Sequence, residues 1–234
     1  MPHSSARSPA APDLAACLSP TPFMDCTHPA VLAFVRQAVA HLSPAASDAD
    51  RAIALYYRVR DGIRYDPYSM RFDPEAYCAS TVLADGAAFC IPKAILLVAA
   101  ARAVNIPAAL GLADVKNHLT TPKLRALMGS DVFLHHGYSG LYLNGKWVKA
   151  TPAFNIELCE RFGVPPLDFD GVHDSLMQPY DLQRRRHMEY LKDHGWFADF
   201  PYERVMSDFR RAYPRLMAER AEGSRFEEEA PIAP

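Results

Sequence analysis

No apolar run in this 234-residue chain approaches the ~20 residues needed to cross a bilayer as a helix, which speaks against a helical membrane span. Neither sign of charge is in excess. Lys and Arg number 25 and Asp and Glu 27, for a net charge of −2, so neither a nucleic-acid partner nor an anionic membrane is expected. The N-terminus, MPHSSARSPAAPDLAACLSP, has no continuous apolar stretch behind a basic start and does not read as a signal peptide. No C-x-x-C pair occurs, which weakens a thioredoxin-type or zinc-cysteine reading. The five cysteines, Cys17, Cys26, Cys78, Cys90 and Cys159, are odd in number and widely spaced. Together with the missing leader they favour free thiols in a reducing cytoplasm. There is no zincin motif, so no metal and no cofactor are expected. Internal repeats are absent as well.

What is present is enough apolar material, half of all residues, for one domain with an appendage. Residues 1–22 are Ala-, Pro- and Ser-rich and read as a loose tail, 23–160 as the core, and 161–234 as an irregular or helical extension packed on it. Thr27 is the expected cap of a helix starting near Pro29, since Pro suits the first helical position. Ser47 or Asp48 caps a second helix carrying Ile53, Tyr56 and Val59. AFCIPKAILLVAAARAVNIP is apolar on nearly every side, the mark of a helix buried in the middle of a domain. AALGLADV follows as a strand. HHGYSGLYLNGKWVKATPAF is a hairpin, because Asn144-Gly145 suits a turn with positive φ at both central residues. The fold class is therefore α+β, with helices first and an antiparallel sheet after them.

Two residues in this frame carry chemistry. Cys90 lies two residues before Pro92, at the start of the buried helix. There the helix dipole and unpaired N–H groups favour a thiolate. A small buried core residue is the alternative, because free cysteine commonly plays that part. For the hairpin, a two-residue turn makes paired residue numbers sum to 289. Leu141, Leu143, Val148 and Ala150 then share the core face. His136, Tyr138, Tyr142, Trp147 and Thr151 share the other, with Thr151 diagonal to His136. Unless a bulge intervenes, His135 points the opposite way.

These segments resemble the transglutaminase-like superfamily. GAAFCIPKAILLVAAARAVNIPAAL is similar to its core motif, with a Gly shortly before a Cys, an apolar helix with Arg and an N-I-P-A ending. HGYSGLYLNGKWVKATPAF is similar to its second motif, in which a His opens a strand that returns through G-x-W-V. The family's Trp stands eleven residues after its His, and Trp147 stands eleven after His136, which selects His136 over His135. RAIALYYRVRDGIRYDP resembles the helix and strand preceding the cysteine motif, so the likeness spans roughly residues 48–155. It implies a papain-like core with a Cys at the start of a central helix packed on an antiparallel sheet. It also implies acyl transfer through a thioester, to water or to an amine, on a peptide or amide substrate. Cys90 would be the nucleophile and its backbone N–H an oxyanion donor, with Tyr65 and Tyr68 as candidates for the second donor.

The family's acidic third residue falls on Thr151, which can orient an imidazole but carries no charge. Asn155 is an alternative orienter, and Asp131, Asp168 and Asp170 are loop candidates. Asn117 and His118 are candidates to line the cleft, and PLDFDGVHDSL to fold over it. The missing acid makes a catalytically degenerate binding domain the competing reading. A third reading is a metal site on His187 and His194 with Glu189 between them. Arg184, Arg185 and Arg186 read as a solvated run.

Overall fold

The computed structural model describes residues 12–118, 120–218 and 226–229. Three helices come first. Pro29 opens α1 (Pro29–Val39), but the cap is His28, whose Nδ1 accepts the Ala30 N–H, rather than Thr27. Ser47 and Asp50 close a reciprocal capping box on α2 (Asp48–Gly62). A parallel pair, β1 (Arg64–Tyr65) and β2 (Ala87–Ala88), flanks α3 (Ala79–Asp85). Among the described residues, no helix is long and apolar enough to cross a membrane.

The central helix α4 runs from Cys90 to Ala103, and every residue from Ile91 to Arg102 is buried. Its two charged residues are therefore inside. The Lys93 ammonium donates to the carbonyls of Arg60 (2.8 Å) and Ile63 at the end of α2. Burial pulls its pKa down to about 7. At the other end, Arg102 donates to the carbonyls of Ser19, Ala108 and Ala198. Carbonyls left over where elements end thus satisfy cations that burial would otherwise exclude.

Four antiparallel strands, β3 (Ala108–Asn117), β4 (Val132–Leu143), β5 (Lys146–Ala150) and β6 (Met188–Phe197), form a sheet in the order β5-β4-β3-β6. The hairpin register is as expected: Leu141 faces Val148, Tyr142 faces Trp147, and Asn144 and Gly145 both have positive φ. Leu141, Leu143, Val148 and Ala150 are buried. On the other face Trp147 packs against Tyr142 and against Trp196 of β6. Short helices α5 (Pro122–Met128) and α6 (Ile156–Phe162) fill the connections, and α7 (Tyr202–Ala212) and α8 (Pro214–Ala218) follow the sheet.

The α+β fold with a cysteine-bearing central helix on an antiparallel sheet is as the sequence implied. Two features differ. Residues 1–11 of the expected tail lie outside the described residues, but Cys17 is fully buried and its carbonyl accepts the Ala108 N–H. Segment 188–197, read as irregular, is a full strand of the sheet. It lacks clean alternation because register shifts interrupt its pairing with β3.

The helix and sheet meet most closely at Gly137. A Cβ built there would lie 2.7 Å from Ile91 Cα and 3.1 Å from the Cys90 carbonyl oxygen. Both neighbours are backbone, so neither can turn aside. We expect Gly137→Ala to lower stability by about 1–3 kcal/mol, the usual range for overpacking, as a shifted denaturant midpoint at constant m. An unchanged midpoint would show that the α4–β4 contact has slack.

Candidate active site

Cys90 is the first residue of α4, where no side chain caps the helix. The backbone amides of Gly137, Ile91 and Cys90 itself lie near its sulfur and favour the thiolate. Burial outweighs them and pushes the thiol up to about 11. The sequence suggested a lowered value. The helix start is present as expected, but it lies beneath the sheet rather than open to water.

His136 pairs with Ala113 across β3 and β4, and the residue after it is the Gly137 that touches α4. Cys90 and His136 line one cavity. The His136 ring is buried, its Nε2 has no hydrogen-bond partner among the described residues, and burial holds its pKa down at about 4. The resting pair is thus a neutral thiol and a neutral imidazole.

Thr151 is buried, but its Oγ1 has no hydrogen-bond partner among the described residues and therefore does not hold the His136 ring. The group that comes near both is Tyr190 of β6. Its ring centroid lies 6.2 Å from that of His136, and its phenol faces the Thr151 hydroxyl. Nothing in the sequence marked Tyr190, because its strand was not visible.

The other orienting candidates are engaged elsewhere. Asn155 Oδ1 accepts the Tyr65 N–H and its Nδ2 donates to Glu157, so it anchors β1 instead of His136. Asp131 pairs with Lys116, Asp168 with Arg60, and Asp170 with His173. The loop after Pro166 packs on α2, where Tyr56 donates to the Leu167 carbonyl. His118 bonds Glu189 and lines a separate open groove of about 490 Å³ with Tyr180, Arg186 and Tyr190. The Asn117 N–H is taken by the Asp131 carbonyl. Arg184, Arg185 and Arg186 are exposed, as a solvated run should be. His187 and His194 do not meet: His187 packs on Phe154, while His194 bonds Asp114.

The cavity itself is about 40 Å³. A water molecule needs roughly 10–15 Å³ of such space, so the cavity holds a few waters. Tyr65 and Phe89 wall it on one side, and Phe209, Tyr213 and Leu216 of α7, α8 and the residue between them on another. Above Tyr65 lies Phe226, with ring centroids 5.9 Å apart. Close by, Glu229 accepts from both Tyr68 and Thr121. Of the two candidate oxyanion donors, Tyr65 lines the cavity, and the phenol of Tyr68 is committed to Glu229.

A partly buried cysteine opening the central helix, with a strand histidine lining the same cavity, is the arrangement of a cysteine-enzyme-like fold. The transglutaminase-like superfamily core matches residues 36–152, half of the chain, and the chain belongs to that superfamily. No curated protein sequence matches it. Among solved structures it is similar to a candidate cysteine protease from Cytophaga hutchinsonii, at 16% identity and a TM-score of 0.45, covering 61% of this chain and 43% of that one. It is also similar to a candidate protease from Parabacteroides distasonis, at 14% identity and a TM-score of 0.37, covering 64% and 32%. The chain thus spans less than half the length of either protein.

A carboxylate restored at position 151 would favour the imidazolium and so raise the His136 pKa. The imidazolium would in turn favour the thiolate and lower the Cys90 pKa. We therefore expect Thr151→Asp to speed Cys90 alkylation near pH 6 by about tenfold, the worth of one pKa unit. Thr151→Val should not speed it. Mass-spectrometric rates on variants shown to fold by melting provide the check. Equal rates in Thr151→Asp and wild type would remove position 151 from the site.

Proposed function

We propose that the protein is a cysteine enzyme that transfers an acyl group from a peptide or amide substrate to water or an amine. The observation that carries this reading is the shared cavity of Cys90 and His136, with three backbone N–H groups around the sulfur. Cys90 Sγ attacks the substrate carbonyl carbon while His136 takes its proton. The resulting imidazolium gives that proton to the leaving amine as the C–N bond breaks, leaving a thioester on Cys90. Water or a second amine then attacks the thioester, His136 again takes the proton, and the sulfur leaves and regains that proton from the imidazolium.

Because both groups rest neutral, the proton transfer must accompany attack rather than precede it. The backbone N–H groups near the sulfur are suited to stabilising negative charge as it develops there. Tyr65, which lines the cavity, is the candidate side chain to assist at the carbonyl oxygen. The five free cysteines suit a cytoplasmic setting.

A second reading, a domain that binds without turnover, draws on the absent acid, the unheld His136 ring and the 40 Å³ cavity. An activated acyl donor, such as a peptide thioester, separates the two. The enzyme reading expects a transient thioester mapped to Cys90, absent in Cys90→Ser and formed at least ~100-fold more slowly in His136→Ala, in line with general-base contributions. Acylation that is confined to Cys78, or indifferent to His136, would leave the binding domain as the better account.

A further inference from the structure

Behind His136, on the same strand, lies a second cluster. Asp114 sits on the central strand β3, and the two strands beside it both break register next to it. On the β4 side, Ala113 faces His136 and Val115 faces Phe133, so Leu134 and His135 together oppose Asp114. His135 takes a φ of 56°, unusual for a residue with a side chain. On the β6 side, Leu112 faces Gly195 and Ala113 faces Asp193, which leaves His194 as the extra residue. Bulges re-aim side chains, and these two turn a histidine each toward one aspartate. The ring centroids lie 4.6 Å apart, and one potential ligand atom from each of Asp114, His135 and His194 lies within 4.8 Å of the others.

We infer that Asp114, His135 and His194 form a site for a zinc-class divalent cation, with water as its fourth ligand. This goes beyond the acyl-transfer reading and departs from the sequence expectation that no metal is bound. Two histidines and a carboxylate are a zinc donor set. His135 is 1% exposed, and its Nδ1 has no partner among the described residues. Its Nε2 is held by Asp208 Oδ2 at 2.8 Å. A carboxylate on the far nitrogen of a ligating histidine is the usual outer support of a metal site, because it fixes the ring and raises ligand basicity. Tetrahedral bonds of about 2.1 Å imply ligand separations of roughly 3.4 Å, so loading must part Asp114 and His194, now 2.7 Å apart, and close the wider gaps, which reach at most 4.8 Å.

Two contacts oppose the metal. The His135 backbone N–H donates to Asp114 Oδ1 at 3.0 Å and competes for that oxygen. Arg204 donates to His194 Nδ1 at 3.3 Å, so His194 carries its proton on Nε2 and gives it to Asp114 at 2.7 Å. Binding through Nε2 requires the ring proton to move to Nδ1 and the exposed Arg204 to turn away. Arg204 is thus a competitor for the site, and removing it should tighten binding.

Equilibrium dialysis of the full chain against zinc, followed by metal analysis, tests the site. The same measurement on Cys90→Ser excludes a thiol-held ion. Expected are one ion per chain in both proteins and at least 100-fold weaker binding in His194→Ala and Asp114→Asn. Asp208→Asn should bind 10- to 100-fold more weakly, and Arg204→Ala several-fold more tightly. Cobalt in place of zinc should show tetrahedral visible bands without a thiolate charge-transfer band. Arg204 is exposed, so its variant carries little folding risk and keeps the test decisive if a ligand variant fails to fold. Wild-type protein that retains no ion would overturn the site. So would retention lost in Cys90→Ser, retention unchanged in a folded His194→Ala, or affinity unchanged in Arg204→Ala.

Discussion

The backbone contact between Gly137 and the first turn of α4 is the constraint on which the site depends. Helices pack on sheets through side chains, which hold the two backbones well apart. Here one strand residue has no side chain, and the helix start comes close enough for the Gly137 N–H to reach the Cys90 sulfur. Cys90 and His136 are thereby brought to one cavity without a hydrogen bond between their side chains. The depth of α4 follows from the same packing. A helix apolar all round can lie against both the sheet and α2, provided its few charges find carbonyls, as Lys93 and Arg102 do.

That depth has an electrostatic cost that the helix dipole does not cover. A helix N-terminus offers only about half a unit charge, whereas removing water from a thiolate can move its pKa by several units. Burial therefore governs both members of the pair, in opposite directions, and the pair rests uncharged. In a site with an acid at position 151, the carboxylate would offset the loss of water around the imidazolium. Thr151 cannot, and Tyr190 brings a phenol that is itself pushed toward its protonated form by burial.

Much of this was legible in the sequence because it was local. Asn144-Gly145 fixed the hairpin register, and with it the faces of Leu141 and Trp147. The apolar run after Cys90, interrupted only by Lys93 and Arg102, announced a central helix, and the spacing to Trp147 favoured His136 over His135. What could not be read depends on residues distant in sequence. Asn155 looked free to orient His136 because nothing local shows that the Tyr65 N–H takes its carbonyl. Segment 188–197 hid its strand character behind its bulges, and Tyr190 and His194 were hidden with it. A period-two pattern survives a regular strand and is lost wherever an extra residue enters.

The bulge in β4 also explains how two adjacent histidines come to serve different surroundings. In a regular strand His135 and His136 would face opposite sides of the sheet, and His135 would share the face that α4 covers through Gly137 and Leu141. The extra residue opposite Asp114 turns His135 instead toward Asp208 of α7 and His194 of β6. Both partners lie beyond residue 152, outside the matched superfamily core. The C-terminal elements therefore do more than wall the cavity. They supply the groups that hold the residue next to His136, so the position of the histidine facing Cys90 is set in part by chain that the core motifs do not contain.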